Sequence, residues 1–528
     1  MKNNDIINNL ILENAALKAE LAEAQQKLAW LIEQLTSSRR RLYGPSSEKS
    51  VYDGIQTQTE IFDDIQPPIV VMGGGSPLAG EPQPNKNKPI KRGEMSTRLP
   101  EGLPVETIEC ELPEGQQECP ECGEQMQPIG KEIARREIKV IPAQVTIIEY
   151  SRIAYICNNC AETNDTAPIV KAPIPPPVIK GSMCTPETAA HIIVQKFVMG
   201  SPLYRLEKDF NRSGIPIKRQ TMANWLIRCS EGYFEPVYDE LHLLLCQKEI
   251  VHSDDTPFQV LREPGKPAQS DSRMWLYRTS CDAKFPIVLY DYQPDKRKER
   301  PRDFLAGFSG YLLTDGCSSY HSLPDNIIVV GCFQHVRSKF SDALKCLKVE
   351  DRPGSLALIG KEYCNRIFDI DREAKDCTFD ERFDMRNKKA VPVLDEFHAW
   401  LESVKPYVSS KSKLGVAVGY ALNQWKYLTN YLLDGRLECN NSRSERSIKP
   451  FVINRKNFLF ATSVAGARAA AVLQSLTETA IENGLNPFEY LTYVLRTAAA
   501  GNIRNDADLL DKLLPHNAPE FCRALKQK

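Results

Sequence analysis

The stretch that most limits this chain's fold runs from Glu249 to Val330, where short apolar segments of strand length alternate with polar turns. Ile250-Val-His-Ser-Asp254-Asp255-Thr-Pro257 reads as a short strand ending in two acids. Met274–Thr279 and Pro286–Tyr290 follow, split by a turn at Asp282–Lys284. A helical stretch, Glu299–Ala306, separates them from Tyr311-Leu-Leu-Thr-Asp315-Gly316, a fourth strand that again ends in an acid. Ile327–Val330 is a fifth strand, leading into Gly331-Cys-Phe-Gln-His335 and a basic helix with Arg337 and Lys339.

Three consecutive strands, a helix, a strand and further α/β units is the order of a ribonuclease-H-like fold. Residues 340–438 turn helical and polar, with Trp400, Trp425 and Tyr431 as core candidates, and read as an insertion into a domain spanning 249–480. Beyond the insertion lies Asn440-Asn441-Ser-Arg-Ser-Glu445-Arg446-Ser-Ile448-Lys449-Pro450, running on to Arg455-Lys456-Asn457. It holds one carboxylate, Glu445, among the cations Arg443, Arg446, Lys449, Arg455 and Lys456. Asn440 or Asn441 can cap a helix here, and Pro450 is expected to stop a short one. A salt-bridged surface helix is one reading of this stretch. The other is a carboxylate that shares a metal site with acids elsewhere, while its basic neighbours bind phosphate. Asp254 and Asp315, on neighbouring strands, supply those acids. Two aspartates and a glutamate can converge on two Mg²⁺ ions, which prefer charged oxygen ligands and can promote phosphodiester cleavage. The adjacent acids leave Asp254 and Asp255 both open as the first ligand. Period-two geometry puts Asp254 on the face of His252 and Asp255 on the other. His335 reads either as a buried, hydrogen-bonded histidine or as a group beside phosphate or metal.

At 528 residues the chain is long enough for three or four domains of roughly 150 residues. Ile7, Asn14, Leu21, Leu28, Leu35 and Leu42 fall seven apart, as do Leu10, Leu17, Ala24 and Leu31, so 5–43 reads as a coiled coil that would make the protein a homodimer or higher oligomer. Residues 44–106, rich in Pro, Gly and Asn, read as a flexible linker. In 107–162, Cys119-Pro-Glu-Cys122 and Cys157-Asn-Asn-Cys160 are two CxxC knuckles flanking strand-like alternation at Glu137–Ile141 and Val145–Tyr150. Two such turns complete a tetrahedral site for one structural Zn²⁺. Pro168–Pro177 reads as a polyproline spacer. In 183–245 the spacing predicts a helix over 186–199, another from Pro202, a turn at Gly214–Ile217 and a third helix over Arg219–Cys229. That order suits a helix-turn-helix DNA-binding unit with Lys218, Arg219 and Arg228 as phosphate contacts. Ala465–Ala480 reads as a long helix and 485–528 as a small helical tail. The net charge of −1 confines any nucleic-acid affinity to local patches. Of sixteen cysteines, the twelve outside the knuckles are scattered, which fits a reducing cytoplasm. No run approaches a membrane span.

The blocks in their order resemble the DDE transposases of the insertion sequence 66 family. They are Leu42-Tyr-Gly-Pro-Ser-Ser-Glu-Lys49, the paired CxxC, Pro202-Leu-Tyr-Arg205, His252-Ser-Asp-Asp-Thr-Pro257, Thr314-Asp-Gly316, Gly331-Cys-Phe-Gln-His-Val-Arg-Ser-Lys-Phe340, Asn440-Asn441 with Glu445-Arg446, and Arg455-Lys-Asn457. The resemblance implies that Asp254, Asp315 and Glu445 are the catalytic triad holding Mg²⁺; the basic residues Arg219, Arg337, Arg446, Lys449, Arg455 and Lys456 are the candidates for contact with DNA. It also implies binding to the terminal inverted repeats of an element, DNA cleavage, strand transfer to a target, accessory proteins from the same element and a bacterial, nucleoid-associated location. The family has Asp-Glu where this chain has Asp254-Asp255, and Asp where it has Cys439. A zinc-containing DNA-binding regulator with an inactive nuclease fold is the alternative function.

Overall fold

The structure, a computed structural model, describes residues 145–156 and 169–524. The heptad segment 5–43, the linker 44–106 and the paired cysteines Cys119, Cys122, Cys157 and Cys160 lie outside the described residues. The described chain opens with an antiparallel ribbon of β1 (Ala154–Ile156) and β2 (Ile169–Lys171). Val145–Tyr150 forms no strand despite its alternation, and its side chains are exposed. Alternation defines a face, but a strand also needs a ladder partner, and none of the described residues pairs here. β2 likewise takes the start of the expected proline spacer, whose remainder stays out of any ladder.

Helices α1 (Pro186–Phe197), α2 (Leu203–Arg212), α3 (Arg219–Cys229) and α4 (Glu235–Cys246) come next. Thr185 caps α1 by accepting from the Thr188 N–H at 3.1 Å, and Pro186 fills the first position, where no N–H is needed. The sheet then forms from β3 (Ile250–Arg262), β4 (Asp271–Thr279), β5 (Val288–Gln293), β6 (Gly310–Leu313) and β7 (Ile327–Val330), with α5 (Glu299–Phe304) between β5 and β6. Its order is β5-β4-β3-β6-β7, and β8 (Phe460–Ser463) also pairs with β3. β4 runs antiparallel to both of its neighbours, β3 and β5, whereas β6 and β8 run parallel to β3.

β3 is longer than its sequence predicts, so Asp254 and Asp255 lie within a strand rather than at its end. Its edge away from β4 decides where the site can be. β6 pairs that edge at Ile250–His252, and β8 pairs it again only from Gln259. Between them Ser253–Phe258 has no strand neighbour on that side among the described residues. An open edge of this kind tolerates Pro257, which has no N–H to offer a ladder.

The segment between β7 and the basic stretch is helical: α6 (Phe333–Lys345), α7 (Leu356–Glu373), α8 (Phe379–Met385), α9 (Val391–Val404) and α10 (Lys413–Leu428). Phe340, Phe397, Leu401 and Val418 pack there in one cluster with Ile250, Leu313 and Val330 of the sheet. α11 (Ser442–Phe458) is continuous, against the expectation that Pro450 stops it. Ile448 and Phe451, on either side of the proline, are buried with Phe258 and Tyr290 of the sheet, and that packing outweighs one missing backbone bond. The helix ends at Leu459, whose φ of 64° is unusual for a side chain branched at Cγ and turns the chain into β8.

α12 (Val464–Glu482) covers the outer strand β5, and its hydroxyls stand in for a missing strand. The N–H groups of Val288 and Tyr290 donate to Thr479 Oγ1 at 3.0 Å and Ser475 Oγ at 2.7 Å. α13 (Pro487–Ala500) and α14 (Ala507–Leu513) complete the fold. Helices from 183–245 and from 485–528 share one hydrophobic core with the sheet, joining Ile193 and Leu241 to Trp275, Leu289 and Leu495. On α12, burial raises the Glu478 carboxyl to about 7, and Gln474 and Arg278 only partly oppose it. Its folded value lies above its unfolded one, so stability falls as pH rises between about 4.5 and about 7. Glu478→Gln should therefore raise the melting temperature at pH 8 and leave it unchanged at pH 4. A lower melting temperature at pH 8 would contradict this.

Candidate active site

Asp254 sits in the open interval of β3 and is 2% exposed. One carboxylate oxygen accepts the Asp255 N–H at 2.8 Å, while Oδ2 is buried with no hydrogen-bond partner among the described residues. Asp255 is paired quite differently, with the Arg273 guanidinium and with Lys296 Nζ at 2.9 Å. Period two thus gives neighbouring acids opposite circumstances: one neutralised, one unpaired.

Asp315 follows β6 by two residues, and its Oδ1 accepts from the Cys317 N–H at 3.0 Å. Its carbonyl accepts from the Tyr420 hydroxyl at 2.7 Å, which ties the turn to α10. Gly316 takes a φ of +83°, and a Cβ there would lie 2.6 Å from Tyr420 Oη, so both conformation and space demand glycine.

Glu445 lies in the first turn of α11 and is 7% exposed, and among the described residues neither of its buried carboxylate oxygens has a hydrogen-bond partner. His335 Nδ1 is 3.6 Å from its Oε1. Burial, then the nearby charges of Asp315, Glu445 and Asp255, holds the Asp254 carboxyl well above the usual carboxylate range. Burial also raises Glu445, with His335 opposing and Asp315 adding. Burial works against charge on His335, but Cys332, Glu445 and Asp315 together outweigh it and raise the imidazole to about 10. The three carboxyls therefore share one field, and like charges so placed call for a cation. The unpartnered oxygens of Asp254 and Glu445 fit a hard divalent ion that prefers charged oxygen ligands.

α11 is positioned by contacts that the sequence does not advertise. Asn441 is its N-terminal residue, yet its side chain makes no capping bond. Asn441 Nδ2 instead donates to the Ser253 carbonyl at 2.8 Å, and its Oδ1 accepts from His252 Nδ1 at 3.1 Å. His252 Nε2 is then the acceptor for the Ser280 hydroxyl at 3.1 Å. A neutral imidazole is consistent with burial pushing His252 down to about 4. A second anchor, Arg278 of β4, forks onto Glu482 at 3.1 and 3.3 Å and also donates to the Ser447 hydroxyl.

Arg446, Lys449 and Lys456 are exposed along one face of α11. Arg455 points elsewhere and is part-buried near Asp271 and Arg273. Arg337 donates to Asn365 at 2.7 Å, and with Arg446 it lines a groove of about 730 Å³ that also takes Arg372 and Arg382 from the inserted helices. A second cleft, about 530 Å³, opens on Asp315 and His335 and carries Lys296 and Lys339. Arg219 is exposed at the start of α3 and stacked over Tyr204. Motif reading passes over Lys296 and Arg278, and it names Cys332 and Asn441 without the contacts they make here. Only the alternation through His252 and Asp254 hints at one of their partners.

Residues 181–469 match the family described as Transposase IS66 family, 116–161 the zinc-finger binding domain of transposase IS66, and 475–516 the IS66 C-terminal element. Across the whole chain it is 28% identical to the uncharacterized protein y4jD of Sinorhizobium fredii over 524 residues, covering 96% of this chain and 98% of that protein. It is similarly 28% identical to y4qI of the same organism over 520 residues, covering 96% and 92%.

Proposed function

Because this chain belongs to the IS66 family of transposases, we propose that it binds the terminal inverted repeats of its own insertion sequence, cleaves DNA in a Mg²⁺-dependent reaction that leaves 3′-hydroxyls, and joins those ends to a target. The observation that carries this reading is that the charges of Asp315 and Glu445 both bear on buried Asp254 in the open interval of β3, with buried oxygens on Asp254 and Glu445 that have no hydrogen-bond partner among the described residues. The mixed sheet with α11 packed across it supports a ribonuclease-H-like catalytic domain. The heptads at 5–43 would join two or more copies at paired DNA ends, with accessory proteins of the same element as further partners.

Asp254, Asp315 and Glu445 would hold two Mg²⁺ ions. When bound, such ions make a hydroxyl a better nucleophile and neutralise the leaving oxygen. Lys296 and Lys339 place positive charge in the cleft beside Asp315, where a phosphate would enter. Asp255, paired with Arg273 and Lys296, fixes the cationic side of that cleft. Asn441 and Arg278 tie α11 to β3 and β4 and would so hold Glu445 toward Asp254. The exposed Arg446, Lys449 and Lys456 offer a phosphate-binding stripe leading away from the acids.

The test is incubation of the full chain with Mg²⁺ and a DNA fragment ending in the element's own repeat. Cuts at the repeat end and joining to a plasmid are expected. Tight repeat binding without cutting would favour the zinc-containing DNA-binding regulator instead. On the binding side, Arg446→Gln with Lys449→Gln should weaken affinity across sequences and reduce the salt slope by roughly two. An unchanged slope would remove α11 from the DNA contact. At the knuckles, protein purified in excess Mg²⁺ should carry one zinc per chain, lost in the Cys119→Ser, Cys157→Ser double variant. Retained zinc there would end that assignment.

A further inference from the structure

We propose that Cys332, His335 and Glu445 form a second metal site, which takes Zn²⁺ and thereby withdraws Glu445 from the magnesium site. The inhibitory half of this proposal rests on the catalytic reading above; the binding half does not. A Cys332 sulfur, a His335 ring nitrogen and a Glu445 carboxylate oxygen all lie within 4.8 Å of one another. Cys332 and His335 flank the first turn of α6, where a spacing of three puts both side chains on one face. Glu445 meets them from α11.

Three further observations point to a ligand rather than to packing. Both Glu445 oxygens and His335 Nδ1 are buried and make no hydrogen bond among the described residues, Nδ1 lying 3.6 Å from Glu445 Oε1, and Glu445 is 7% exposed. Cys332 is 1% exposed and its sulfur already accepts the Asn441 N–H at 3.2 Å, an outer contact that would orient and stabilise a thiolate. His335 lines the open cleft with Asp315, so a cation and a water as fourth ligand can reach it.

The donor set decides which ion. Magnesium takes hard oxygens in octahedral geometry and has little use for sulfur or imidazole. A thiolate, an imidazole and a carboxylate with one open position make a tetrahedral zinc set. Zinc binding at this cluster releases the thiol proton and the His335 imidazolium proton to solvent, and engages a Glu445 oxygen. That oxygen is then unavailable to a cation held by Asp254 and Asp315, so the two metals compete.

The experiment uses full-length protein freed of Mg²⁺ and equilibrated with micromolar zinc. Two zinc ions per chain are expected, one on the paired CxxC knuckles and one on this cluster. The count should fall to one in Cys332→Ser and, independently, in Glu445→Gln, which removes a ligand from the other helix with little change in size. Asp254→Asn should keep two. With Cd²⁺ as probe, the thiolate charge-transfer absorbance should drop in Cys332→Ser relative to Glu445→Gln, which keeps the thiol. A count of one in the unaltered chain, or a second zinc that survives both substitutions, overturns the site. In the cleavage assay, zinc at ten times its dissociation constant should slow cutting roughly tenfold at limiting Mg²⁺. Cutting that fails without zinc would sink the transposase reading and leave the zinc count standing. Normal cutting with only one zinc would sink this site alone.

Discussion

Replacing Asp254, Asp315 or Glu445 by its amide should lower DNA cleavage by at least about a thousandfold, on the scale of losing a main electrostatic stabiliser of the transition state. Each change removes one negative charge and one proposed Mg²⁺ ligand while nearly keeping shape. DNA binding should survive, because the exposed cations of α11 and the helices of 186–246 are untouched. It should even strengthen somewhat, since one acid facing phosphate is gone. Folding should not suffer either: burial and the neighbouring acids already hold Asp254 well above the usual carboxylate range, so a neutral amide relieves repulsion in the metal-free protein. Asp255→Asn is the control, and the structure separates it from its neighbour. Asp255 is held by Arg273 and Lys296, and its loss leaves two cations without their acid. That variant should melt earlier, by a few kcal/mol in stability on the scale of broken buried pairs, and keep much of its cleavage at low temperature. Cutting, binding and melting are measured on the same preparations. Near-wild-type cutting by Asp315→Asn or Glu445→Gln would end the shared metal site. Strong loss for Asp255→Asn with none for Asp254→Asn would move the first ligand by one residue.

Asn441→Ala should lower cleavage about a hundredfold with little change in the DNA concentration needed for half-maximal rate. A 1 Å misplacement of a reacting group can cost that much. The side chain bridges the Ser253 carbonyl and the His252 ring, and so sets the start of α11 one residue from Asp254. Alanine leaves both buried partners unpaired, at about 1–3 kcal/mol each, and frees the helix to shift. Asn441→Asp should not rescue, because it lacks the N–H donor for Ser253 and adds another acid to the cluster. A role in folding alone would lower melting temperature without a selective loss of maximal rate at low temperature. Near-normal cutting by a folded Asn441→Ala protein would show that α11 is held without this clamp.

Periodicity and local chemistry determined much of the element order. Ile327–Val330, a continuous β-branched run, is β7 with the same bounds, and Arg219–Cys229 is α3. Thr185-Pro186 starts α1 because a hydroxyl cap and a residue without N–H satisfy that end within a few residues. Such features are legible because their energy is settled over one or two turns. The family blocks also brought Asp254, Asp315 and Glu445 forward from positions far apart in the chain.

The rest depends on partners that no local window contains. Pro450 breaks helices by local rules, but Ile448 and Phe451 lie against Phe258 and Tyr290, and packing of both halves keeps α11 whole. Val145–Tyr150 has a strand's alternation and no ladder among the described residues. Asp254 and Asp255 are equivalent as residue types. Only the pleat of β3, with Arg273 and Lys296 on one side and Glu445 and Asp315 on the other, makes one acid paired and the other unpaired. Asn441 looks like a helix cap in sequence, but tertiary contact turns its amide toward His252 and Ser253. The sequence by itself thus determined which elements form and which acids are available, because propensity and capping act between near neighbours. Only the tertiary structure decided which charges are neutralised and which oxygens stay without partners, because burial and Coulomb fields act between residues that the fold alone brings within a few ångströms.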